Sequence, residues 1–550
     1  MKEENFSNQT PNKSGSKHNM LCFVKPAATR SNRHSAAARS APMMMIALGS
    51  VVVAALLILA LMWKPGSNKG AGGQPPLVLY CAAGLKPPVE LVARQFQQEY
   101  GVPVQLQFGG SGTLLNNARV AKTGDLYLAA DESYLELARQ HNLIAESIPV
   151  ARQTAVIAVR RGNPKSVQGL QDLLRPDVRT AIAAPDAASI GGLTRKILQA
   201  SGLWPALESH VRQHGVFKST VNDLANDVKL GAADAAIVWD STVKQYPELE
   251  LVKVPAFSSQ PQTAWITVLQ SCRQPTTALR FARYLSARDK GLPIFARFHY
   301  ETVEGDAWAW QPELLLFSGS MLRPAIEKIL RDFEQREGVR INTVYNGCGI
   351  LTAQMRAGAR PDSYFACDVS FMNTVADLYL NPVVIADNDI VIIVPKGNPK
   401  NIREMSDLTR PGLRVGLPHH EKSAMGALIF KLLQAVGLYD AITNQTLKVE
   451  SPTGDFLVNQ LRTGSLDAIM ACRSNWKTAS EHLELIPVNH PLAKATQPYA
   501  VSRHTKYALI MTRLLEKIKS EESRKAFEQA GFYWQYKPEN EKRESTAPAN

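Results

Sequence analysis

Two glycine-rich turns, Cys81-Ala82-Ala83-Gly84 and Gly109-Gly110-Ser111-Gly112-Thr113, each follow a short apolar run and open a helical pattern. Free backbone N–H groups and the positive end of a helix dipole make such turns natural anion sites, and a hydroxyl such as that of Ser111 adds a donor without a counter-charge. The plainer alternative is a strand-to-helix turn that uses glycine only for its backbone angles. Further along, a related turn reads Asn346-Gly347-Cys348-Gly349, with a thiol where the hydroxyl stood. Cys348 with His419 or His420 offers a nucleophile and a base, but the matching positions of the earlier stretch are Ser111 and a loop without histidine. Asp131 and Asp368 also match each other; following short strands, they fit helix N-caps better than a paired acid. No phosphate-loop lysine, metalloprotease helix or nucleophile elbow occurs. Binding rather than catalysis is expected, with no cofactor.

These residues sit on a duplicated frame. The pattern of residues 150–185, a β-rich run, Gly-Asn-Pro-Lys, a short helical stretch closed by Arg-Pro and a second apolar strand, returns at 384–418, with Gly162 matching Gly397 and Pro176 matching Pro411, an offset of 235 residues. Solenoid units run to roughly 20–50 residues, so a period this long marks a repeated domain. Within each copy, short apolar strands such as LVLYCA and AAIVW alternate with helices buried on one face, as Val89, Leu91, Val92 and Phe96 predict. That alternation argues for α/β, with ligands where strands end and helices begin.

At 550 residues the chain exceeds the roughly 250–300 that one core supports. Its net charge of +13 is partly local: residues 1–41 hold seven Lys or Arg against two Glu. No dense basic block stands beside aromatic platforms, so no nucleic-acid partner is expected. Residues 43–63, MMMIALGSVVVAALLILALMW, are 21 uncharged residues, close to the ~20 that cross a bilayer. The basic segment upstream places the N-terminus in the cytoplasm and all that follows outside. The run is longer than the ~7–15 residues of a signal-peptide core and lacks a small-residue cleavage pattern, which favours a retained anchor. Five cysteines follow it, an odd number that cannot all pair internally.

The order LVLYCAAGL, helix, QFGGSGTL, GDLYLAAD, the repeated stretch and AAIVW resembles the periplasmic molybdate- and tungstate-binding proteins of ABC importers, over residues 77–300. The resemblance implies two α/β lobes closing on a tetrahedral oxyanion, with an ABC permease as partner. Carried over position by position, it puts Gly84, Ser111, Ser189, Ile190, Val221 and Trp239 at the ligand. Gly84 and Trp239 depart from the family's serine and tyrosine, leaving a backbone donor and one indole N–H.

In the second copy Met321 falls opposite Gly84, Cys348 opposite Ser111, Met425 opposite Ile190 and Cys472 opposite Trp239; Ser320 and Asp455 complete the candidate set. The loop from Pro418 to Gly426 counts as one residue longer than its counterpart from Pro185. Two thiols and two thioethers, with His419 and His420 nearby, form a soft-ligand set suited to Cu(I). Three plainer readings stand beside it: the methionines as packing, the cysteines as backbone donors to an oxyanion, or a Cys348–Cys472 disulfide. The expected fold class is α/β: two tandem bilobal domains of the periplasmic-binding-protein type, each with two mostly parallel sheets, behind one N-terminal transmembrane helix. The expected divisions are 1–42 cytoplasmic and disordered, 43–63 anchor, 64–76 linker, 77–300 first domain, 301–313 interdomain linker, 314–534 second domain and 535–550 disordered tail. A small oxyanion, a membrane permease and the lipid bilayer are the expected partners, and the hinges are expected near 154–159 and 389–394. The alternative function is a soft-metal or redox module in the second domain.

Overall fold

The computed structural model describes residues 75–444 and 448–538. The expected anchor at 43–63 and its flanking segments lie outside these residues, and no helix among the described residues is long and apolar enough to cross a membrane.

Strand Leu77–Ala82 is buried almost throughout because both faces of its sheet are covered. The helix Lys86–Tyr100 that follows buries Val89, Val92, Ala93 and Phe96 on one face and ends at Gly101, whose φ of 70° lets the chain turn back. Repeated, this unit builds the first lobe. Its six-stranded sheet runs Glu301–Thr302, Ile144–Gln153, Gln262–Leu269, Leu126–Ala129, Leu77–Ala82, Val104–Gly109. The second lobe is a five-stranded sheet in the order Val216–Lys218, Thr180–Ala183, Ala235–Trp239, Ala155–Arg160, Leu249–Val252. Both sheets are mixed, not mostly parallel. Leu77–Ala82 runs parallel to its two neighbours, whereas Gln262–Leu269 is antiparallel to both of its own. The cause is topological: the chain leaves the first lobe along 144–160 and returns along 262–269, and a departing and a returning strand must oppose each other.

The second copy repeats this strand order but crosses between lobes differently. Its outward crossing is a single strand, Val383–Pro395, which pairs with Lys494–Val501 in one lobe and with Ala468–Cys472 and Leu483–Pro487 in the other. The two lobes thereby share one ten-stranded sheet. In the first copy the crossing breaks at Thr154, whose N–H donates to Asp240 Oδ1 (2.9 Å) and whose carbonyl accepts from Asp240 N (2.8 Å). The expected hinge near 154–159 thus begins at a break, and its counterpart near 389–394 lies within an unbroken strand.

Residues 301–313 are packed rather than loose. Trp310 stacks on Tyr100 with centroids 4.6 Å apart, Trp308 Nε1 donates to Tyr100 Oη (2.8 Å), and Arg280 covers Trp310. At the far end, Gln535 and Tyr536 donate backbone N–H to Ile385 O, so the first residues of the polar tail belong to the second domain.

Candidate functional sites

Three helix N-termini and one short 3-10 turn converge in the first copy, two elements from each lobe. Gly84 lies in the short 3-10 turn Ala83–Leu85 at the end of the first strand, and Tyr300 Oη donates to its carbonyl. Ser111 is the first residue of helix Ser111–Ala121; its carbonyl accepts from Tyr127 Oη (2.9 Å), and its Oγ accepts from Ala130 N (3.3 Å). With an acceptor lone pair engaged, the Ser111 hydroxyl proton is free to point into the cleft. From the second lobe come helix Ser189–Ala200 and helix Val221–Leu230, the latter capped by Thr220 Oγ1 accepting from Asp223 N at 3.2 Å.

Between them lies a cavity of roughly 20 Å³, lined by Gly84, Ser111, Ser189, Ile190, Val221 and Trp239 together with Gly110, Ala130 and Thr220 among others. All six positions implied for the first copy thus face one space. No charged side chain lines it. Ser189 Oγ is buried and meets no partner in hydrogen-bonding geometry among the described residues. Asp131 lies close by, 1% exposed, as the N-cap of helix Glu132–Gln140. Burial raises its pKa, against the pull of Ser133, the Tyr134 N–H and Ser189.

The cleft is closed, and glycine lets it close. Gly112 N and Thr113 N donate to Ala187 O of the opposite lobe at 3.0 and 3.3 Å, and Asn222 Nδ2 donates to Ala83 O (3.1 Å). A Cβ on Gly110 would fall 2.2 Å from Ala187 O, and one on Gly112 would fall 2.2 Å from Asp186 O. The glycines flanking Ser111 therefore serve backbone-to-backbone contact between lobes, a role that turn chemistry alone did not suggest.

The second copy keeps this clamp. Gly349 N donates to Lys422 O (3.2 Å), and Cβ atoms on Gly347 and Gly349 would strike Lys422 O and Glu421 O at 2.4 and 2.1 Å. Its cavity is about 10 Å³ and is lined by Ser320, Met321, Cys367, Met425 and Gly454 among others. Cys348 and Cys472 are fully buried behind this lining, and Cys472 Sγ lies 3.8 Å from Met321 Sδ. Two pairs of size changes repack the wall. Gly84 beside Trp239 becomes Met321 beside Cys472; Val221 beside Thr242 becomes Gly454 beside Asn475, whose Oδ1 would sit 2.6 Å from a Gly454 Cβ.

Several expectations for this copy need correction. Thr220 and Thr453 both occupy the N-cap, so Gly454, not Asp455, stands where Val221 does. Asp455 instead accepts from Asn475 Nδ2 (2.8 Å). The loop after Pro418 is not longer: strands Thr180–Ala183 and Val415–Pro418 end at matching positions, which sets Pro418 opposite Ala183 and His420 opposite Pro185. His419 stacks on His420 and His420 on Phe430, and neither lines the cavity. No Cys348–Cys472 disulfide forms, all five described cysteines being free. The neighbour of Cys348 is Cys367, whose N–H donates to Cys348 Sγ at 3.1 Å. Nothing in the first copy marks Cys367 as a site residue, since the residue opposite it is Ala130. Asp131 and Asp368 are helix N-caps, as expected.

Known proteins share this sequence pattern. A family described as bacterial extracellular solute-binding protein matches residues 77–301 and again 314–533. A binding protein of Haemophilus influenzae is 30% identical over 203 residues, 37% of this chain and 81% of its own. The molybdate-binding protein ModA of Mycobacterium tuberculosis is 28% identical over 254 residues, 44% of this chain and 93% of its own. Among solved structures, the periplasmic molybdate-binding protein of Azotobacter vinelandii is 18% identical and aligns with 41% of this chain and 98% of its own at a TM-score of 0.35. With both matched regions together spanning most of its length, the chain belongs to the bacterial extracellular solute-binding proteins and carries their domain twice.

Proposed function

We propose that the first domain captures a tetrahedral oxyanion of the molybdate or tungstate kind for ABC-type uptake, held at the cell membrane by the 43–63 segment with both domains on the extracytoplasmic side. The family is non-catalytic, and membership implies a permease partner. One observation carries the reading: a closed cavity with no charged lining, walled by buried Ser111 and Ser189, at which three helix N-termini and one 3-10 turn meet. Neutral donors in a dry cleft stabilise a dianion without neutralising it, and the dipoles add to this attraction. Hydrogen phosphate must also seat its remaining proton, and no charged acceptor lines the cavity to favour it. Relatives named for molybdate support the choice of anion, and one named for sulfate gives the competitor to test.

Gly84, Ser111, Ser189, Ile190, Val221 and Trp239 are the proposed contacts. Binding would favour the closed form because the ligand touches both lobes at once, which is the differential affinity a two-state closure requires. The test is thermal melting and calorimetry of the full chain with molybdate, tungstate, sulfate and phosphate. A ligand at a hundred times its Kd stabilises by about 2.7 kcal/mol, so molybdate or tungstate should raise the melting temperature and phosphate should not. Unchanged melting with all four anions would overturn the proposal.

A further inference from the structure

The second cleft places two thiols together where the first has none. Ser111 and Ala130, joined by an N–H donated to Ser111 Oγ, are replaced by Cys348 and Cys367, joined by an N–H donated to Cys348 Sγ. A third exchange makes room for them. Gly319 occupies the position of Ala82, and a Cβ there would fall 2.0 Å from Cys367 Sγ and 3.3 Å from Cys348 Sγ. Both sulfurs therefore lie over the same bare face of one glycine. Met321 and Cys367 line the cavity.

We propose that the second cleft binds a monovalent thiophilic cation, Cu(I), between the sulfurs of Cys348 and Cys367, with the Met321 thioether as a third donor. The inference concerns the second copy and does not depend on the oxyanion reading of the first.

Three arguments support it. Softness comes first: thiolate and thioether donors select Cu(I) over hard cations and offer an oxyanion nothing. Size is the second. At about 10 Å³ against about 20 Å³, this cavity is half that of the first copy, and a bare ion needs only the gap between its sulfurs. The third is charge. Cys348 is the first residue of helix Cys348–Arg356, whose N-terminus favours negative charge. Two thiolates around a single positive charge leave a net charge of −1, so the complex suits a cleft framed for anions. Among the described residues no three His, Cys, Asp or Glu side chains group as a metal site, so the proposal rests on the two cysteine sulfurs and on Met321, which lines the same cavity as Cys367.

On binding, two Cu–S(thiolate) bonds form, and each thiol still protonated releases its proton to solvent. Copper stays in the +1 state and no electron is transferred.

The test titrates Cu(I) into the reduced full-length protein under anaerobic conditions, against a chromogenic Cu(I) chelator, while following the ultraviolet thiolate-to-copper absorption. One ion should be withheld from the chelator per chain. Cys348→Ser and Cys367→Ala install the residues the first copy carries in the same fold, so both should fold, as circular dichroism will report. Even an outer-sphere partner is worth about 10–100-fold in metal affinity; each variant should lose at least that, and Met321→Leu should lose less. The double variant Cys81→Ser/Cys272→Ser should bind as the parent does. Retention of the ion by the Cys348→Ser/Cys367→Ala double variant, or no uptake once both thiols are shown to be reduced, would overturn the proposal.

Discussion

Ser189 and Ser111 both present hydroxyls to the first cleft, but their unliganded states differ, and that separates their predicted effects. Ser189 Oγ has no partner in strict hydrogen-bonding geometry among the described residues and interacts only with the buried Asp131 carboxyl, so its removal should lower the unliganded melting temperature less than removal of Ser111 does. A hydrogen bond to a charged group is worth about 1.5–3 kcal/mol, so Ser189→Ala should weaken oxyanion binding roughly ten- to hundredfold. Ser111→Ala should lose comparable affinity and also leave the Ala130 N–H unpaired, lowering stability by about 1–3 kcal/mol. Calorimetry and melting of the two variants side by side check this, and equal destabilisation would refute it. Ser111 was legible in the sequence because a hydroxyl between two glycines, at the turn from a strand into a helix, stands where an anion would meet the helix dipole. Cys367 was not. Its meaning depends on Gly319, which is distant in sequence and shows only a missing methyl group. Asp455 was misplaced by one residue because the helix start is fixed by a threonine cap, and apolar spacing cannot resolve a cap to one position.

The elements carrying these residues were more legible, since strand and helix periods survive duplication while cleft chemistry diverges. What the sequence hid was how the elements meet across the cleft. Gly110 and Gly112 approach opposite-lobe carbonyls so closely that any Cβ must push the lobes apart. Neither needs a left-handed backbone. Gly112→Ala should therefore leave secondary structure near that of the parent, with the Tyr134 ring moving aside, while abolishing closure. Oxyanion affinity should then fall by more than Ser189→Ala lowers it, because every contact of the second lobe is lost together; an unchanged Kd would count against the clamp. A second repeated device anchors the outer lobes. Arg179 binds Asp234 through two side-chain contacts of 3.0 and 2.9 Å, and Arg414 binds Asp467 at 3.2 and 2.8 Å. The arginine hydrogen bonds hold both carboxyls below the ordinary carboxylate range. A carboxyl with a depressed folded pKa adds stability above its unfolded value of about 3.9, and that stability is lost as pH falls through the folded value. Asp234→Asn with Asp467→Asn should therefore lower stability at neutral pH and flatten its decline below about pH 4, as urea melts across that range would show.

At the scale of the whole molecule, the two domains are joined through their first lobes, and each second lobe is held by its own crossings and by the contacts across its own cleft. Helix Pro275–Leu285 of the first domain meets helix Arg323–Glu337 of the second at a charge cluster hidden from solvent. Arg283 Nη1 donates to Glu337 O (2.7 Å), and Arg513 grips the Glu337 carboxylate at 2.6 and 3.0 Å. Around it, Arg336 binds Glu146 at 2.7 Å, and Asp306 accepts from Leu509 N and Ile510 N. Burial pushes the Glu337 pKa up, but Arg513 and Arg283 outweigh it and hold the carboxyl ionised. Such an arrangement makes a fixed joint between cleft frames, so closure of one cleft need not disturb the other. Removing one member of a buried ion group leaves charge uncompensated and costs about 3–5 kcal/mol. Glu337→Ala takes the carboxylate from Arg513 and Arg283 at once; Arg283 keeps its bond to the main-chain carbonyl of residue 337, but its Nε and Nη2 already lack partners among the described residues. The variant should melt at markedly lower urea concentration. Because the lesion lies at the joint and outside both clefts, oxyanion and Cu(I) affinities of the folded fraction should stay within about twofold, a change of roughly 0.4 kcal/mol. A loss of either affinity larger than that would show that the joint transmits closure from one domain to the other.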